Sequence, residues 1–517
     1  MGRAATRDAR LAAGGLEAVT GRPPPASIII LGGGTAGWMA ANLLQKRWGA
    51  AGTIVTLIES KDIGIIGVGE GSTPQLKAFF DELGIAEAEW MPRCNATYKA
   101  GIEFEGWSDR AGFERYFHPF ATAVDPFTER TFFAANALRR RGTDVAAHPD
   151  PFYLATRIAR DGRAPLAPAN FPFDIGYGYH FDAYLVGATL REFAVGKGVR
   201  HETATIADVV LNEAGDIDHL VADDGRTFAA DMFLDASGFR ASLIEGALKE
   251  PHRSFGDNLF NDSAVVTPTP VPASGVRAMT TATAASAGWI WHIPLTNRVG
   301  NGYVYSSRYL DREAAAAELR RHCGLPDDAE VRHLSMKCGR VERSWVRNCL
   351  AIGLAQGFLE PLEATALHIV LATVDGFTKA YEQDDRDGFN ATIARRYEGI
   401  RDYIVCHYRA AQRRDTPYWR DVTGHDRISD SLKSILTAWF TGTDLEQEVH
   451  EQGIAAYYAP MSWNVMLAGY GNFPSRVAPI ADCPIDLAEV ERFVGGCALN
   501  FPTHAEALSR LAAAKAA

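Results

Sequence analysis

The first element that the hydrophobic pattern predicts is a short buried strand near the N-terminus. Residues 27–31 read SIIIL, an aliphatic, mostly β-branched run that ends at a glycine, which is typical of a buried parallel strand. A helical segment follows at residues 38–47, and a second strand over residues 53–58 ends at Glu59. These segments predict a β-α-β unit with a parallel sheet.

Later segments predict further strands and a helical C-terminal third. Short strands between about 200 and 235 include a hairpin turn at Asp223-Asp224-Gly225, and residues 232–234 lead into the turn Asp235-Ala236-Ser237-Gly238. Residues 260–310 alternate apolar and polar positions, which indicates a β-sheet, whereas residues 100–180 are aromatic and show no clear period. Helices are predicted for residues 75–83, 367–383, 393–414 and 428–440.

Composition and charge exclude several classes of protein. The chain has 517 residues, 47% of them hydrophobic and 22% charged, which are ordinary values for a globular protein. The net charge of −11 argues against nucleic acid or an anionic membrane as the main partner. The sequence has no run of about 18 apolar residues and no signal-peptide core at its N-terminus, so we expect a cytoplasmic protein. Seven cysteines without a CxxC pair predict reduced thiols and no zinc site.

A GxGxxG motif follows the first predicted strand. Gly32, Gly34 and Gly37, with Thr35 and Ala36 between them, separate that strand from the helix, and Glu59 follows 22 residues after the last glycine. Glycines let the backbone approach a pyrophosphate, the helix N-terminus supplies amide donors, and the acid accepts from a ribose hydroxyl. The pattern predicts a dinucleotide site; the alternative is a structural glycine turn of another α/β protein.

The dinucleotide is more consistent with FAD than with NAD. The turn at Ser237 and the segment 350–353, which ends at Gly353, predict two further returns to the same sheet, with long insertions between them. Such an interrupted domain is typical of FAD enzymes that resemble aromatic hydroxylases. The predicted fold is therefore α/β: a Rossmann-like FAD-binding domain with an inserted β-sheet substrate region and a helical C-terminal part.

We expect three parts along the chain: a flexible leader, an FAD-binding module and a mainly helical module that covers the substrate. Their predicted bounds are residues 1–25, 26–370 and 371–517, and the insertions of the FAD-binding module span about 100–230 and 255–345.

Three further motifs identify a family. They are GWIWHIP (288–294), NATYKAGI (95–102) and PLEAT (361–365), accompanied by GVGEGSTP (67–74), which contains Gly69, and by DTPYW (415–419). With them, the chain resembles the flavin-dependent tryptophan halogenases from about residue 27 to 475. The resemblance implies FAD supplied as FADH2 by a separate NADH-dependent reductase, with chloride or bromide as co-substrate.

Trp289 and Trp291 lie two residues apart, and therefore on one face if the segment is a strand. An ordinary core strand would have the same pattern. The resemblance implies instead that these indoles, with Ile293 and Pro294, form a wall that separates the flavin from an organic substrate and lets hypohalous acid pass.

Lys99 lies in a segment of small and aromatic residues. A lone lysine is most often a solvated surface charge, but burial would lower its pKa because desolvation disfavours the charged form. The resemblance implies that Lys99 is the catalytic lysine, which hydrogen-bonds hypohalous acid or forms a haloamine.

Glu363 is the second candidate for catalysis. On the residues alone it could equally be a cap or a partner of a surface cation. The resemblance implies that it positions the oxidant or accepts the proton lost on rearomatisation, and that backbone amides at Thr365 and Ala366 hold the halide. The chain reads EATA where the family usually reads ESTG, so we expect a difference in halide affinity or preference.

The substrate is less well defined. The resemblance places His118 and Phe120 around an indole, and it places Trp463 and Tyr457-Tyr458 in the lid over the substrate. No acid or base in that lid matches a clamp for the tryptophan zwitterion, so free indole, a substituted indole, a phenol or a larger metabolite stays open. A flavin hydroxylase and a catalytically silent flavin-binding protein are the alternatives; a homodimer is a further expectation.

Overall fold

A computed structural model describes residues 21–61, 69–475, 477–479 and 485–516. Most of the predicted leader and the residues before Gly69 in the GVGEGSTP motif lie outside the described residues. The strands are, in chain order, β1 (Ser27–Leu31), β2 (Ile54–Glu59), β3 (Glu70–Gly71), β4 (Thr97–Lys99), β5 (Gly101–Glu105), β6 (Arg115–Pro119), β7 (Gly178–Phe181), β8 (Arg200–Thr203), β9 (Ile206–Leu211), β10 (Ile217–Ala222), β11 (Thr227–Ala229), β12 (Met232–Asp235), β13 (His252–Ser254), β14 (Ser263–Thr269), β15 (Thr280–Ala285), β16 (Gly288–Pro294), β17 (Val299–Tyr305), β18 (Arg332–Ser335), β19 (Gly339–Val341), β20 (Trp345–Val346), β21 (Cys349–Ala351) and β22 (Gly357–Phe358).

The α-helices alternate with these strands in the N-terminal part, and the C-terminal part from α8 onwards contains helices. They are α1 (Thr35–Trp48), α2 (Gln75–Leu83), α3 (Glu87–Trp90), α4 (Pro126–Arg140), α5 (Leu154–Arg160), α6 (Ala183–Gly196), α7 (Arg312–His322), α8 (Ala366–Gln383), α9 (Arg386–Ala410), α10 (Pro417–Gly424), α11 (Asp430–Thr441), α12 (Leu445–Glu451), α13 (Pro460–Gly469), α14 (Leu487–Ala498) and α15 (His504–Ala516).

A six-stranded sheet of order β20-β21-β12-β1-β2-β8 forms the nucleotide-binding half of the fold. All its neighbours pair in parallel except β20 and β21. The two predicted returns to the sheet are confirmed, because β12 lies beside β1 and β21 lies beside β12. β8 comes from within the predicted insertion 100–230 and forms the other edge.

β1 forms because its residues are apolar on both faces. Ile28 and Ile30 are fully buried in the main core, and Ile29 packs in a second cluster on the opposite face of the sheet. A strand covered on both sides reads as a continuous aliphatic run, which is why its bounds could be predicted to the residue.

A seven-stranded sheet of order β18-β14-β17-β16-β15-β5-β6 confirms the sheet predicted over residues 260–310. Its centre is β16, whose indoles Trp289 and Trp291 join the main core while Ile290 faces a separate cluster. Trp291 pairs with Gly302 of β17. A Cβ built on Gly302 would lie 2.1 Å from the Trp291 ring, so glycine is what leaves space for that indole.

A three-stranded sheet of order β3-β7-β4 connects the two halves. It brings Gly71 of β3, His180 of β7 and Lys99 of β4 together. Thr97 donates a hydrogen bond of 2.7 Å to the Pro294 carbonyl, which fixes this small sheet against the end of β16.

Three helices of the C-terminal part, α8, α9 and α11, were predicted, and their bounds differ most at α9, whereas α10 and α12 to α15 were not predicted individually. The prediction placed the start of α9 at residue 393 and its end at 414, whereas the helix covers Arg386–Ala410. Asp385 caps the N-terminus by accepting from the Gly388 amide, so the helix begins before its first apolar position. The aromatic region 100–180 folds into β5, β6, α4, α5 and β7. Within the described residues, no helix is long and apolar enough to cross a membrane.

Replacing Gly302 with alanine tests the packing of β16 on β17. We expect Gly302→Ala to lower the free energy of unfolding by about 1–3 kcal/mol, because the new methyl group overlaps the Trp291 ring. Gly495→Ala in α14 is the matched control, since its Cβ would meet nothing within 4 Å. Chemical denaturation of both variants measures the difference; equal stabilities would contradict this account of the packing.

Candidate active site

The glycine turn after β1 is shaped for close approach of a ligand to the backbone. Gly32 has φ +122°, and a Cβ there would lie 2.2 Å from the Ala236 carbonyl oxygen. A Cβ on Gly37 would lie 2.0 Å from the Gly32 oxygen, whereas one on Gly34 would meet nothing within 4 Å. The turn is therefore packed on the protein side and open on the other.

The other predicted nucleotide residues lie around this turn. Gly353, after β21, approaches Ala36 so closely that its Cβ would lie 2.9 Å from the alanine Cβ. Glu59 lies beside Gly33 and is held by His201, whose Nε2 is 2.8 Å from its Oε1. The Ser237 hydroxyl donates to Asp235 Oδ1 at 2.6 Å and so fixes its own turn.

These features fit the pyrophosphate of FAD. α1 begins at Thr35 with no side-chain cap and no acid in its first turn, so its amides are available to an anion. The carboxyl ends of β1, β12 and β21 meet at the same edge of the parallel sheet, which is the usual position of a bound dinucleotide.

Lys99 is fully buried at the end of β4. Its Nζ has no hydrogen-bond partner among the described residues and lies 5.3 Å from the centre of the Phe120 ring. A Cβ on Gly71 would lie 3.2 Å from this nitrogen, so the amine rests against bare backbone. Burial lowers the pKa of Lys99 to about 8, against the opposing effect of Glu363.

Glu363 is buried opposite this lysine and is held by two histidines. Its Oε1 lies 2.9 Å from His407 Nε2, and its Oε2 lies 4.0 Å from His118 Nδ1. Burial favours a raised pKa, but His118, His407 and Lys99 together outweigh it and hold the pKa of Glu363 below its usual value. His407 Nδ1 lies 2.8 Å from the Tyr470 hydroxyl, and this contact orients the ring beside the carboxylate.

A second buried acid, Glu360, directly precedes the short helical turn Pro361–Glu363 and anchors it. Its Oε2 accepts from Asn261 at 2.9 Å, from Trp289 Nε1 at 3.4 Å and from the Tyr408 hydroxyl. Burial raises the pKa of Glu360 to about 7, although these hydrogen bonds oppose the rise. Because His407 and Tyr408 are consecutive in α9, one helix holds both Glu363 and Glu360.

Thr365 and Ala366 form the N-terminus of α8. No side chain caps this terminus and no acid lies in its first turn, so its amides suit a small anion. The left-handed residue of the EATA segment is Ala364, with φ 54°, while Ala366 is the first residue of the helix. Alanine in place of the usual glycine therefore causes no backbone strain at position 366; its effect on halide affinity stays a prediction.

The two indoles of β16 lie on one face, as predicted for a strand. Their ring centres are 6.1 Å apart, and both side chains are buried. Trp291 Nε1 has no hydrogen-bond partner among the described residues. Ile293 lies beside Gly69, whose Cβ would come 3.9 Å from the isoleucine, and Pro294 holds Thr97 through its carbonyl. The proposed wall is thus in contact with both the glycine segment and the strand of Lys99.

Of the predicted substrate residues, His118 and Trp463 contact Tyr403 of α9, whereas Phe120 lies beside Lys99. His118 Nε2 lies 3.0 Å from the Tyr403 hydroxyl, and Trp463 packs edge-on against the Tyr403 ring at 4.8 Å. Tyr458 stacks on the same ring at 3.6 Å. Phe120 approaches from the Lys99 side.

Sequence reasoning missed the contribution of α9. His407, Tyr403 and Tyr408 touch Glu363, His118 and Glu360 respectively. The only signal was the spacing of Tyr403 and His407 by one helical turn, which equally fits a core helix.

Comparisons with known proteins agree with these motifs. The family model for tryptophan halogenase matches residues 27–485. The chain is 36% identical over 487 residues to a tryptophan 6-halogenase, SttH, of Streptomyces toxytricini, covering 88% of this chain and 91% of that protein. It is 34% identical over 503 residues to a tryptophan 7-halogenase, RebH, of Lentzea aerocolonigenes, covering 90% and 94%.

Solved structures agree in fold and extent. A flavin-dependent halogenase from Xanthomonas campestris, Xcc4156, superposes with a TM-score of 0.81 at 36% identity, covering 94% of this chain and 98% of that one. A second, BrvH from Brevundimonas sp. BAL3, gives 0.82 at 31% identity, covering 95% and 100%. These matches confirm the predicted fold class, the cofactor FAD and the halide co-substrate. The chain belongs to the tryptophan halogenase family and is an FADH2-dependent halogenase.

Proposed function

We propose that this enzyme halogenates an indole-like aromatic ring held by His118, Phe120 and Trp463, with Lys99 and Glu363 as its catalytic residues. The observation that carries the proposal is the buried Lys99 amine, which has no hydrogen-bond partner among the described residues and lies close enough to the buried Glu363 carboxylate for that charge to act on it. Reduced FAD, when bound, supplies hypohalous acid from oxygen and halide.

Lys99 directs the oxidant to the substrate. As a neutral amine it attacks the halogen of hypohalous acid, forming an N–halogen bond as the O–halogen bond breaks, and the departing hydroxide takes a proton from the nitrogen and leaves as water. As an ammonium it donates a hydrogen bond to the same acid. A pKa of about 8 leaves both forms accessible near neutral pH. The aromatic ring then attacks the halogen as an electron-rich nucleophile.

Glu363 takes the proton that the ring loses. Its lowered pKa keeps the carboxylate ionised, and that negative charge stabilises the cationic ring formed by halogen addition. His407 holds Oε1 at 2.9 Å, which leaves Oε2 directed towards His118.

The Trp289–Trp291 wall supports halogenation over direct hydroxylation. A hydroxylase must bring the substrate to the flavin, whereas two buried indoles, one anchored to Glu360, restrict passage to a small molecule.

The same proposal includes a separate NADH-dependent flavin reductase, since the sequence has no second dinucleotide motif. It also includes a cytoplasmic location and a homodimer. A silent flavin-binding protein would not need both Lys99 and Glu363.

Removing the amine tests the role of Lys99. With reduced FAD, oxygen, bromide and an indole panel, we expect Lys99→Ala to lower kcat by about 10²–10⁴-fold, the range for loss of a proton-transfer group, while flavin binding persists. Mass spectrometry of the products is the measurement. Lys433→Ala, which removes an exposed lysine paired with Asp430, is the control.

Three results would count against this proposal. Oxygenated product formed without halide would favour the hydroxylase, and no product with any member of the panel would favour the silent protein. Full activity of Lys99→Ala would remove the lysine from its role.

The pH dependence of stability reports the burial of Lys99. Its pKa is about 8 in the folded chain and near 10.5 when exposed, so between these values the unfolded chain binds more protons. We therefore expect the stability of the wild type relative to Lys99→Met to increase as pH rises from about 8 to 10.5. Urea denaturation across that range measures it; a constant difference would mean that Lys99 titrates normally.

A further inference from the structure

Arg396 of α9 is a half-buried cation without an acidic partner among the described residues. Its Nε is buried and has no hydrogen-bond partner there. Its guanidinium lies 4.8 Å from the centre of the Tyr457 ring, and its NH1 lies 3.5 Å from His368 Nε2. Burial lowers the pKa of Arg396, which shows that the charge is partly desolvated. A desolvated charge is costly unless a counter-ion accompanies it.

Arg396 lies on the same helix as Tyr403, against which His118, Tyr458 and Trp463 pack. Arg396 precedes Tyr403 by seven residues, two helical turns or about 10 Å, so both lie on one face of α9. Tyr457, over the guanidinium, is followed directly by Tyr458, which stacks on Tyr403. On the other side, His368 lies five residues beyond Glu363.

His368 does not supply the missing negative charge. Burial and the charge of Arg396 lower its pKa to about 4, so the ring is neutral at physiological pH. Glu363 is the carboxylate that acts on both Tyr403 and Tyr458, and it is already held by His407 and His118. In the described part of the chain, Glu363 is the only acid that acts on Tyr458 and no acid acts on Arg396, so this guanidinium has no opposing carboxylate.

Two further donors near Tyr403 have no partner among the described residues. Trp463 Nε1 and the Tyr458 hydroxyl are both buried. An indole N–H can only donate, so the group that satisfies Trp463 must be an acceptor. A ligand oxygen meets that requirement, whereas the ammonium group of an amino acid does not.

Building on the proposed function, we propose that the substrate is an aromatic carboxylate, such as an indole alkanoate, whose carboxylate is bound by Arg396. The guanidinium fork matches a carboxylate with two parallel hydrogen bonds, which a halide cannot form. Because no acid of the described residues acts on Arg396, and only Glu363 acts on Tyr458, the enzyme favours such an anion over the tryptophan zwitterion. Arg396 is thus a specificity-determining residue of the same reaction.

A matched substrate series tests this inference. The substrates are indole-3-propionate, its primary amide and L-tryptophan, and the variants are Arg396→Met and Arg396→Lys. Arg395→Met is the control, because Arg395 is the exposed neighbour on the same helix and contacts only Thr392 among the hydrogen bonds described.

We expect wild type to prefer the propionate to both the amide and tryptophan in kcat/KM. Arg396→Met should lower kcat/KM for the propionate about 10–100-fold more than for the amide, the range for a hydrogen bond to a charged group. The loss should lie in KM rather than kcat, and Arg396→Lys should restore part of it. Arg395→Met should retain the wild-type preference.

Three outcomes would overturn the inference: equal use of propionate and amide by wild type, an equal loss on both in Arg396→Met, or a change confined to the KM for bromide, which would make Arg396 a halide site. If no compound is halogenated, the proposed function fails instead. Calorimetric titration of wild type and Arg396→Met with indole-3-propionate then decides the inference separately, because weaker binding by the variant supports it and equal binding overturns it.

Discussion

The burial of the Lys99 amine opposite Glu363 is the constraint on which the rest of the site depends. Water would satisfy both groups better than the protein interior, so the fold must compensate for two desolvated ionisable side chains. The fold compensates the two side chains to different degrees. Glu363 receives His407 and His118 as partners, whereas Lys99 receives an aromatic ring and bare backbone at Gly71. Among the described residues the amine has no hydrogen-bond partner, and its lowered pKa makes the neutral form accessible near neutral pH.

The surrounding architecture keeps these two groups fixed. One end of the three-stranded sheet holds Lys99, and Thr97 ties that sheet to the end of β16. The turn that carries Glu363 is held through Glu360 to Trp289, so the wall and the carboxylate are mechanically linked. A displacement of Trp289 would therefore also displace the turn that carries Glu363.

Local sequence patterns predicted those strands and turns whose formation depends on neighbouring residues in the chain. The aliphatic run of β1, the glycine turn after it and the alternation of β16 gave correct elements, and the motif around Lys99 identified a residue that proves to be buried. Long-range partners could not be predicted. The contact of Glu363 with His407 joins residues 44 positions apart. The N-terminus of α9 was predicted too late because it is set by the polar cap Asp385, which the hydrophobic pattern does not include. That Arg396 has no acidic partner among the described residues depends on tertiary packing and could not be predicted from its local sequence.

Direct titration of Lys99 tests the central claim most closely. Lysine labelled at its ε-carbon can be followed by NMR across pH, with the Lys99 resonance assigned from its loss in Lys99→Met. The account predicts a pKa near 8, and a lower value in Glu363→Gln, because the carboxylate raises it. A pKa near 10.5, unchanged by Glu363→Gln, would mean that the amine is solvated and paired with water, and would contradict the account.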